Sequence, residues 1–259
     1  MTSPLTTLTI TEARARFAGL SAVLFDLDGV LTPTAGVHMQ AWSRLFTPYL
    51  EARGVTPGYS DEDYFRYIDG RPRYDGVRDL LRSRGIHLLE GTVQDAPTED
   101  TVCGLGNRKN SAFNETLAES GVSAYPGSIA FLETVAAAGY AVAVVSSSRN
   151  AEPVLVAAGL RDRFEVVVDG LVAVHNGIAG KPSPATYEYA AELLGLTPAE
   201  CVVVEDAHSG VQAGRDGDFG LVLGVNRGVG AQALLDSGAH VVVDDLHDFL
   251  PIQAREVPA

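Results

Sequence analysis

Basic residues are scarce in this chain: 19 lysines and arginines stand against 33 aspartates and glutamates, a formal net charge of -14. That balance argues against nucleic acid or an anionic membrane surface as a general partner. It also obliges any anionic substrate to find a local cationic pocket or a metal. Cysteine is rarer still. Cys103 and Cys201 are the only two, they stand in no metal-ligand spacing, and a chain of this size needs no disulfide, so a reducing cytoplasm is expected. The longest apolar runs fit buried strands and are too short to span a bilayer. Met1–Leu5 lacks a basic segment leading into an apolar one, so no signal peptide is expected. Internal repeats and low-complexity tracts are absent. What is present is 259 residues at 46% hydrophobic composition, enough for one large domain or two small ones.

From about Tyr125 onward, strands and helices alternate. Ser128 is expected to cap a helix through Ala138 that Gly139 ends, and Ala141–Val145 reads as a buried strand running into Ser146-Ser147-Ser148. Asn150 is placed to cap the next helix, whose first turn holds Pro153, and Glu165–Val168 reads as a strand. Ser183-Pro184 has the order of a helix start, Gly195 of a helix end, and Thr197 to Glu200 the pattern of a capping box. Strands are expected at Cys201–Val204, Leu221–Val225 and His240–Val243. Alternation of this kind implies a parallel sheet with right-handed crossovers. Between Asp28 and Tyr125 the pattern is helical without strands. Helices are expected over His38–Arg53, Asp61–Ile68, Asp75–Arg84 and Asn107–Ser120, with Pro48 kinking or ending the first and a surface loop at Gly91–Asp100.

The expected architecture is therefore α/β: a Rossmann-like parallel-sheet core with a helical cap domain inserted after the first core strand. Residues 1–36 and 123–259 would form the discontinuous core and 37–122 the cap, a lid over the sheet's C-terminal edge.

Four elements converge on that edge. The apolar run Ala22-Val23-Leu24-Phe25 delivers Asp26 and Asp28, two residues apart and pointing the same way, with Gly29 turning the chain aside. Ser146 follows another strand, Lys181 precedes a helix, and Glu205-Asp206 end a further strand with oxygen donors suited to Mg2+. Taken singly, each has an ordinary structural reading as a turn cap, a solvated loop charge or strand-end acids. Together, a carboxylate nucleophile beside one cation, one lysine and one hydroxyl is an arrangement for phosphoryl transfer.

In this order the four elements resemble the motifs of the haloacid dehalogenase-like phosphotransferase superfamily, over essentially the whole chain. The resemblance implies that Asp26 becomes an aspartyl phosphate and that Asp28 acts as acid and then base. It implies one Mg2+ per site held by Asp26, Asp206 and the backbone carbonyl of Asp28, with Glu205 in or near the outer layer. A finer resemblance is to the β-phosphoglucomutase subfamily. Thr34, His38 and Trp42 stand at its spacings after the catalytic pair, and His38 and Trp42 share a helix face. Arg73 in Gly70-Arg71-Pro72-Arg73 matches its phosphate arginine, Lys109 its sugar-contacting cap lysine, and Ser148 and Asn150 its loop for the second, non-transferring phosphate. The reaction so implied interconverts β-D-glucose 1-phosphate and glucose 6-phosphate through a bisphosphate, with glucose 1,6-bisphosphate as activator.

The pattern departs from that subfamily at Pro33, Gly76 and Ala185 and in the length of the loop from Gly91 to Val102. The rival readings are a Mg-dependent sugar-phosphate phosphatase on the same scaffold and a catalytically dead sugar-phosphate-binding regulator. A monomer acting on a small sugar phosphate, without nucleic acid or membrane, is expected. His87, His175, His208, His240 and His247 are read as structural.

Overall fold

The computed structural model describes residues 7–252, so the N-terminal segment Met1–Leu5 lies outside the described residues. The chain enters through α1 (Ile10–Ala18), opened by a capping box in which Thr9 and Glu12 satisfy each other's backbone N–H groups. Next comes β1 (Ala22–Phe25), whose four residues are all buried, as an unbroken apolar run requires of a strand covered on both faces.

Four helices follow before the next strand: α2 (Thr34–Glu51), α3 (Asp61–Tyr67), α4 (Arg73–Ser83) and α5 (Val102–Ser120). They close around their own apolar cluster, including Trp42, Phe46, Leu50, Tyr64, Val77, Leu80, Leu81 and Leu105. This is the helical cap. Three of its helices start earlier than the sequence pattern indicates, α4 by two residues. α2 begins at Thr34, four residues before His38, and runs through Pro48 to Glu51; in the last turn a missing N–H costs a single bond and the helix does not end there. α5 begins at Val102, where Thr101 accepts from the Gly104 N–H. The glycines that obscured this start are close-approach positions: a side chain at Gly104 would strike the Glu99 carbonyl, and one at Gly106 the ring of Tyr74.

The remainder alternates: α6 (Pro126–Ala137), β2 (Ala141–Val145), α7 (Ala151–Ala157), β3 (Val166–Val168), α8 (Gly170–His175) and α9 (Ala185–Leu193). It ends with β4 (Cys201–Glu205), α10 (His208–Asp216), β5 (Leu221–Val225), α11 (Ala231–Ser237) and β6 (Val241–Val243). Some local expectations differ. α6 starts at Pro126 in the favoured first-turn position, and Ser128 is buried inside it, donating to the Val30 carbonyl at 2.6 Å. α9 takes Pro184 as its cap residue, so Ser183 lies one position outside it. Asn150 does cap α7 in position, yet its side chain makes no capping bond and turns toward the cap instead. The Thr197–Glu200 capping box forms, closing one 3-10 turn before β4.

All six strands are parallel in the order β3-β2-β1-β4-β5-β6. β1 is flanked by β2 and β4, which is what brings the residues after Phe25, Val145 and Val204 to one place. One apolar layer covers each face. Phe17, Phe25, Phe131 and Phe249 anchor the first, and Tyr187, Val203, Val211 and Val222 belong to the second.

Candidate active site

Asp26 leaves β1 with its N–H bonded to the Val204 carbonyl, so strand pairing itself fixes the first carboxylate. The chain then turns at Gly29 (φ +87°), where a Cβ would fall 1.8 Å from an Asp206 carboxylate oxygen; only glycine lets this turn lie against Asp206.

Lys181 is buried among three acceptors: Asp26 Oδ1 at 2.5 Å, Glu205 Oε1 at 2.6 Å and the Val145 carbonyl at 2.9 Å. Burial works against its charge, but the Asp26 and Glu205 carboxylates outweigh it and hold the ammonium above its ordinary range. Glu205 is fully occupied. Oε1 also takes the Tyr187 hydroxyl at 3.0 Å, and Oε2 takes the N–H groups of Asp206 and Ala207. A side chain at Gly210 would collide with that carboxylate.

Asp26, Glu205 and Asp206 each bring one carboxylate oxygen within 4.8 Å of the others, all buried. Burial pushes the carboxyls of Asp26 and Asp206 well above the usual range, against the pull of Lys181 on Asp26 and reinforced at both by neighbouring acids. One lysine cannot balance three such acids, and the donors are all hard oxygens. The set fits a divalent cation of the Mg2+ kind, which would restore the ionised carboxylates. With Glu205 saturated, Asp26 and Asp206 are the side chains available to hold it. The carboxylate of Asp28 stands apart from this trio.

Asp28 faces the cap. Thr34 Oγ1 donates to its Oδ1, and His38 Nε2 lies 3.5 Å away, an ion-pair approach without hydrogen-bond geometry. Burial raises the Asp28 carboxyl, but His38 and Thr34 overcome this and hold it below the usual range. On the other side of the imidazole, Lys109 Nζ meets Nδ1 at 2.7 Å and lies 5.1 Å over the ring of Trp42. Burial, with Arg73 nearby, lowers Lys109 well below its ordinary value. With Lys109 as an ammonium, Nδ1 accepts from it, which leaves the neutral ring's proton on Nε2, the nitrogen that faces Asp28.

At the far end of the cleft, Arg73 Nη2 and Asn150 Nδ2 both donate to Asn110 Oδ1 at 2.7 Å, joining cap to core. The Arg149 guanidinium lies 4.8 Å from the Tyr74 ring centre, and its charge adds to burial in lowering Arg73. Ser146 and Ser148 accept the N–H groups of Ser148 and Asn150, respectively. The cleft is thus acidic at one end and cationic at the other. Asp26, Asp28, His38, Trp42, Arg73, Lys109, Ser146, Ser148, Asn150 and Asp206 line it, while Thr34, Lys181 and Glu205 support it from behind. The cationic end suits a phosphate, and the hard oxygen donors at the other end suit a divalent cation.

Sequence reading missed Asp69, Tyr64, Asn110 and Tyr187. Asp69 lines the cleft, with burial pushing its carboxyl up to about 7. An acid just before a glycine of positive φ, Gly70, was the available signal.

Residues 20–218 match the model of haloacid dehalogenase-like hydrolases, and the chain belongs to that family. Within it, the chain is 48% identical over 253 residues to β-phosphoglucomutase of Mycobacterium tuberculosis (strain CDC 1551 / Oshkosh), covering 92% of this chain and 96% of that one. It is also 32% identical over 195 residues to hexitol phosphatase A of Escherichia coli K12, covering 74% and 76%. A solved β-phosphoglucomutase from Clostridium difficile shares the fold, with a TM-score of 0.70 over 88% of this chain and 92% of that chain at 24% identity.

Proposed function

We propose that the protein is a Mg2+-dependent β-phosphoglucomutase, interconverting β-D-glucose 1-phosphate and glucose 6-phosphate, with glucose 1,6-bisphosphate as activator. The observation that carries this reading is the Lys109–His38–Asp28 chain, which ties a cap lysine to a core carboxylate. The similarity to the M. tuberculosis enzyme over most of both chains supports it.

Asp26 is the nucleophile, held against Lys181 and able to accept a phosphoryl group in line with the cleft. Bound Mg2+, on Asp26, Asp206 and the Asp28 backbone carbonyl, would supply charge neutralisation at the transferring phosphoryl group. Lys181 adds a fixed positive charge, and Glu205 orients it. Ser146 binds the transferring phosphate. Asp28 protonates the leaving oxygen and deprotonates the incoming hydroxyl, and Thr34 and His38 aim it. Arg73, Ser148 and Asn150 hold the second phosphate; the Asn110 bridge satisfies two of these groups until a phosphate replaces it. Lys109 and Trp42 meet the sugar.

Residues 37–122 act as the cap over a core of 1–36 and 123–259, and the enzyme works as a monomer in the cytoplasm. Among the described residues, no helix is long and apolar enough to cross a membrane, and both cysteines are free and buried.

Hydrolysis of sugar phosphates is the second reading, favoured by the similarity to hexitol phosphatase A. It uses the same residues with water as acceptor. In the test, wild-type protein should form glucose 6-phosphate and take label from radioactive glucose 1,6-bisphosphate. Asp26→Asn should do neither; label retained on that variant would put the nucleophile elsewhere.

A further inference from the structure

Three serines follow β2, and their hydroxyls do different work. Ser146 and Ser148 accept backbone N–H groups within their own loop. Ser147, between them, donates out of the loop to the carbonyl of Gly70 in the cap, at 2.8 Å. From the other flank of β1, Ser209 in the first turn of α10 donates to the preceding cap carbonyl, Asp69, at 3.0 Å. Two hydroxyls, one from a core loop and one from the first turn of a core helix, thus grip consecutive carbonyls of one cap segment. Contact there is tight. Gly70 has φ +67°, and a Cβ on it would fall 2.3 Å from Ser209 Oγ and 2.9 Å from Ala207 Cβ.

We propose that Ser147 and Ser209 form a two-point latch that holds the cap closed over Asp26 and Asp28, and so sets how often the phosphoryl group goes to sugar rather than water. Ser147 lines the cleft but its hydroxyl is committed to Gly70, and that of Ser209 to Asp69, so both are positioning residues. Their acceptors are backbone carbonyls, which a phosphate does not compete for. In this the latch differs from the Asn110 bridge, whose acceptor occupies the groups that a second phosphate would use. The latch also sits beside the acidic end of the cleft, next to Asp206, where an opening admits water closest to the nucleophile. Each hydroxyl removed leaves a carbonyl without its partner in the closed form only, because in the open form water takes its place. Opening is therefore favoured without any change to the chemical groups.

The partition arm of this proposal rests on the mutase reading; the closure arm does not. Ser147→Ala, Ser209→Ala and the double variant are compared with wild type in two measurements. One is acrylamide quenching of Trp42, the sole tryptophan, which lines the cleft and is 3% exposed. The other is the ratio of free phosphate to glucose 6-phosphate from β-glucose 1-phosphate. Quenching should rise in each variant, and the phosphate ratio should rise about fivefold per serine. Ser209→Thr, which keeps the hydroxyl, should stay near wild type, and Gly70→Ala should resemble the double variant. Thermal midpoints identify any variant that simply fails to fold. If quenching and product ratio both stay at wild-type values in folded Gly70→Ala and in the double variant, the latch is wrong. If quenching rises but wild type makes no glucose 6-phosphate, the latch stands and the mutase reading fails.

Discussion

Lys109 Nζ lies 2.7 Å from His38 Nδ1 in the cleft wall, the lysine buried against Trp42 and the imidazole largely covered against Phe113. Two bases in such contact cannot both be charged at low cost, and burial lowers the proton affinity of each. The pair is therefore tuned by whatever negative charge enters the cleft. His38→Asn should remove the proton aimed at Asp28 and lower kcat roughly tenfold, while the KM for β-glucose 1-phosphate changes little. Lys109→Ala should raise that KM as well. Steady-state kinetics on both variants checks this, and an unchanged kcat in His38→Asn would detach the imidazole from the acid.

Asp28→Asn should cost more. A positioned acid and base contributes about two to four orders of magnitude, and the loss should fall on kcat. Labelling of Asp26 by a good phosphoryl donor should survive more than turnover does, which a stopped label-incorporation assay can read.

Metal binding should be visible as stability. Cation bound only by the folded protein at a hundred times its dissociation constant stabilises by about 2.7 kcal/mol, a rise of several degrees in Tm. In Asp206→Asn that rise should largely vanish. Without metal, the same variant should be at least as stable as wild type, because a buried carboxyl held far above its usual range has been replaced by a neutral group. Scans with and without Mg2+ and a chelator give all four values.

His240 supplies a pH test away from the site. Its Nδ1 accepts the Val222 N–H at 2.9 Å, and burial, helped by Arg16, pushes the imidazole down to about 4. The folded protein keeps it neutral where the unfolded chain, near 6.5, takes up a proton. Stability from this group is thus complete above about pH 6.5, falls as pH drops toward 4, and levels off below. After discounting for partial exposure, the loss at pH 5 is about 1 kcal/mol. Urea unfolding at pH 7 and pH 5 should show His240→Asn losing that much less between the two.

The acidic pair, the loop serines and Glu205-Asp206 were legible because each follows a strong apolar strand, Lys181 because it precedes a helix start, and strand order does the rest. His38, Arg73 and Lys109 stood out only through the resemblance to the β-phosphoglucomutase subfamily. Less was visible where packing, and not pattern, decides. Gly104 and Gly106 lie inside α5, ahead of the expected helix start, at positions where neighbouring groups leave no room for a side chain. Asp69 gave no periodic signal; its place in the cleft depends on how the cap lies on Ser147 and Ser209, which are distant in sequence. The bond from Tyr187 to Glu205 likewise arises only once α9 packs against the sheet, although the two backbone N–H groups on the same carboxylate are local.

The most direct measurement is a product balance. Protein is incubated with Mg2+, β-glucose 1-phosphate and a trace of glucose 1,6-bisphosphate, and glucose 6-phosphate and free phosphate are counted together. Glucose 6-phosphate in large excess, with turnover dependent on the bisphosphate, is the expected result. Free phosphate in excess would contradict the mutase assignment and make the protein a phosphatase whose cap admits water.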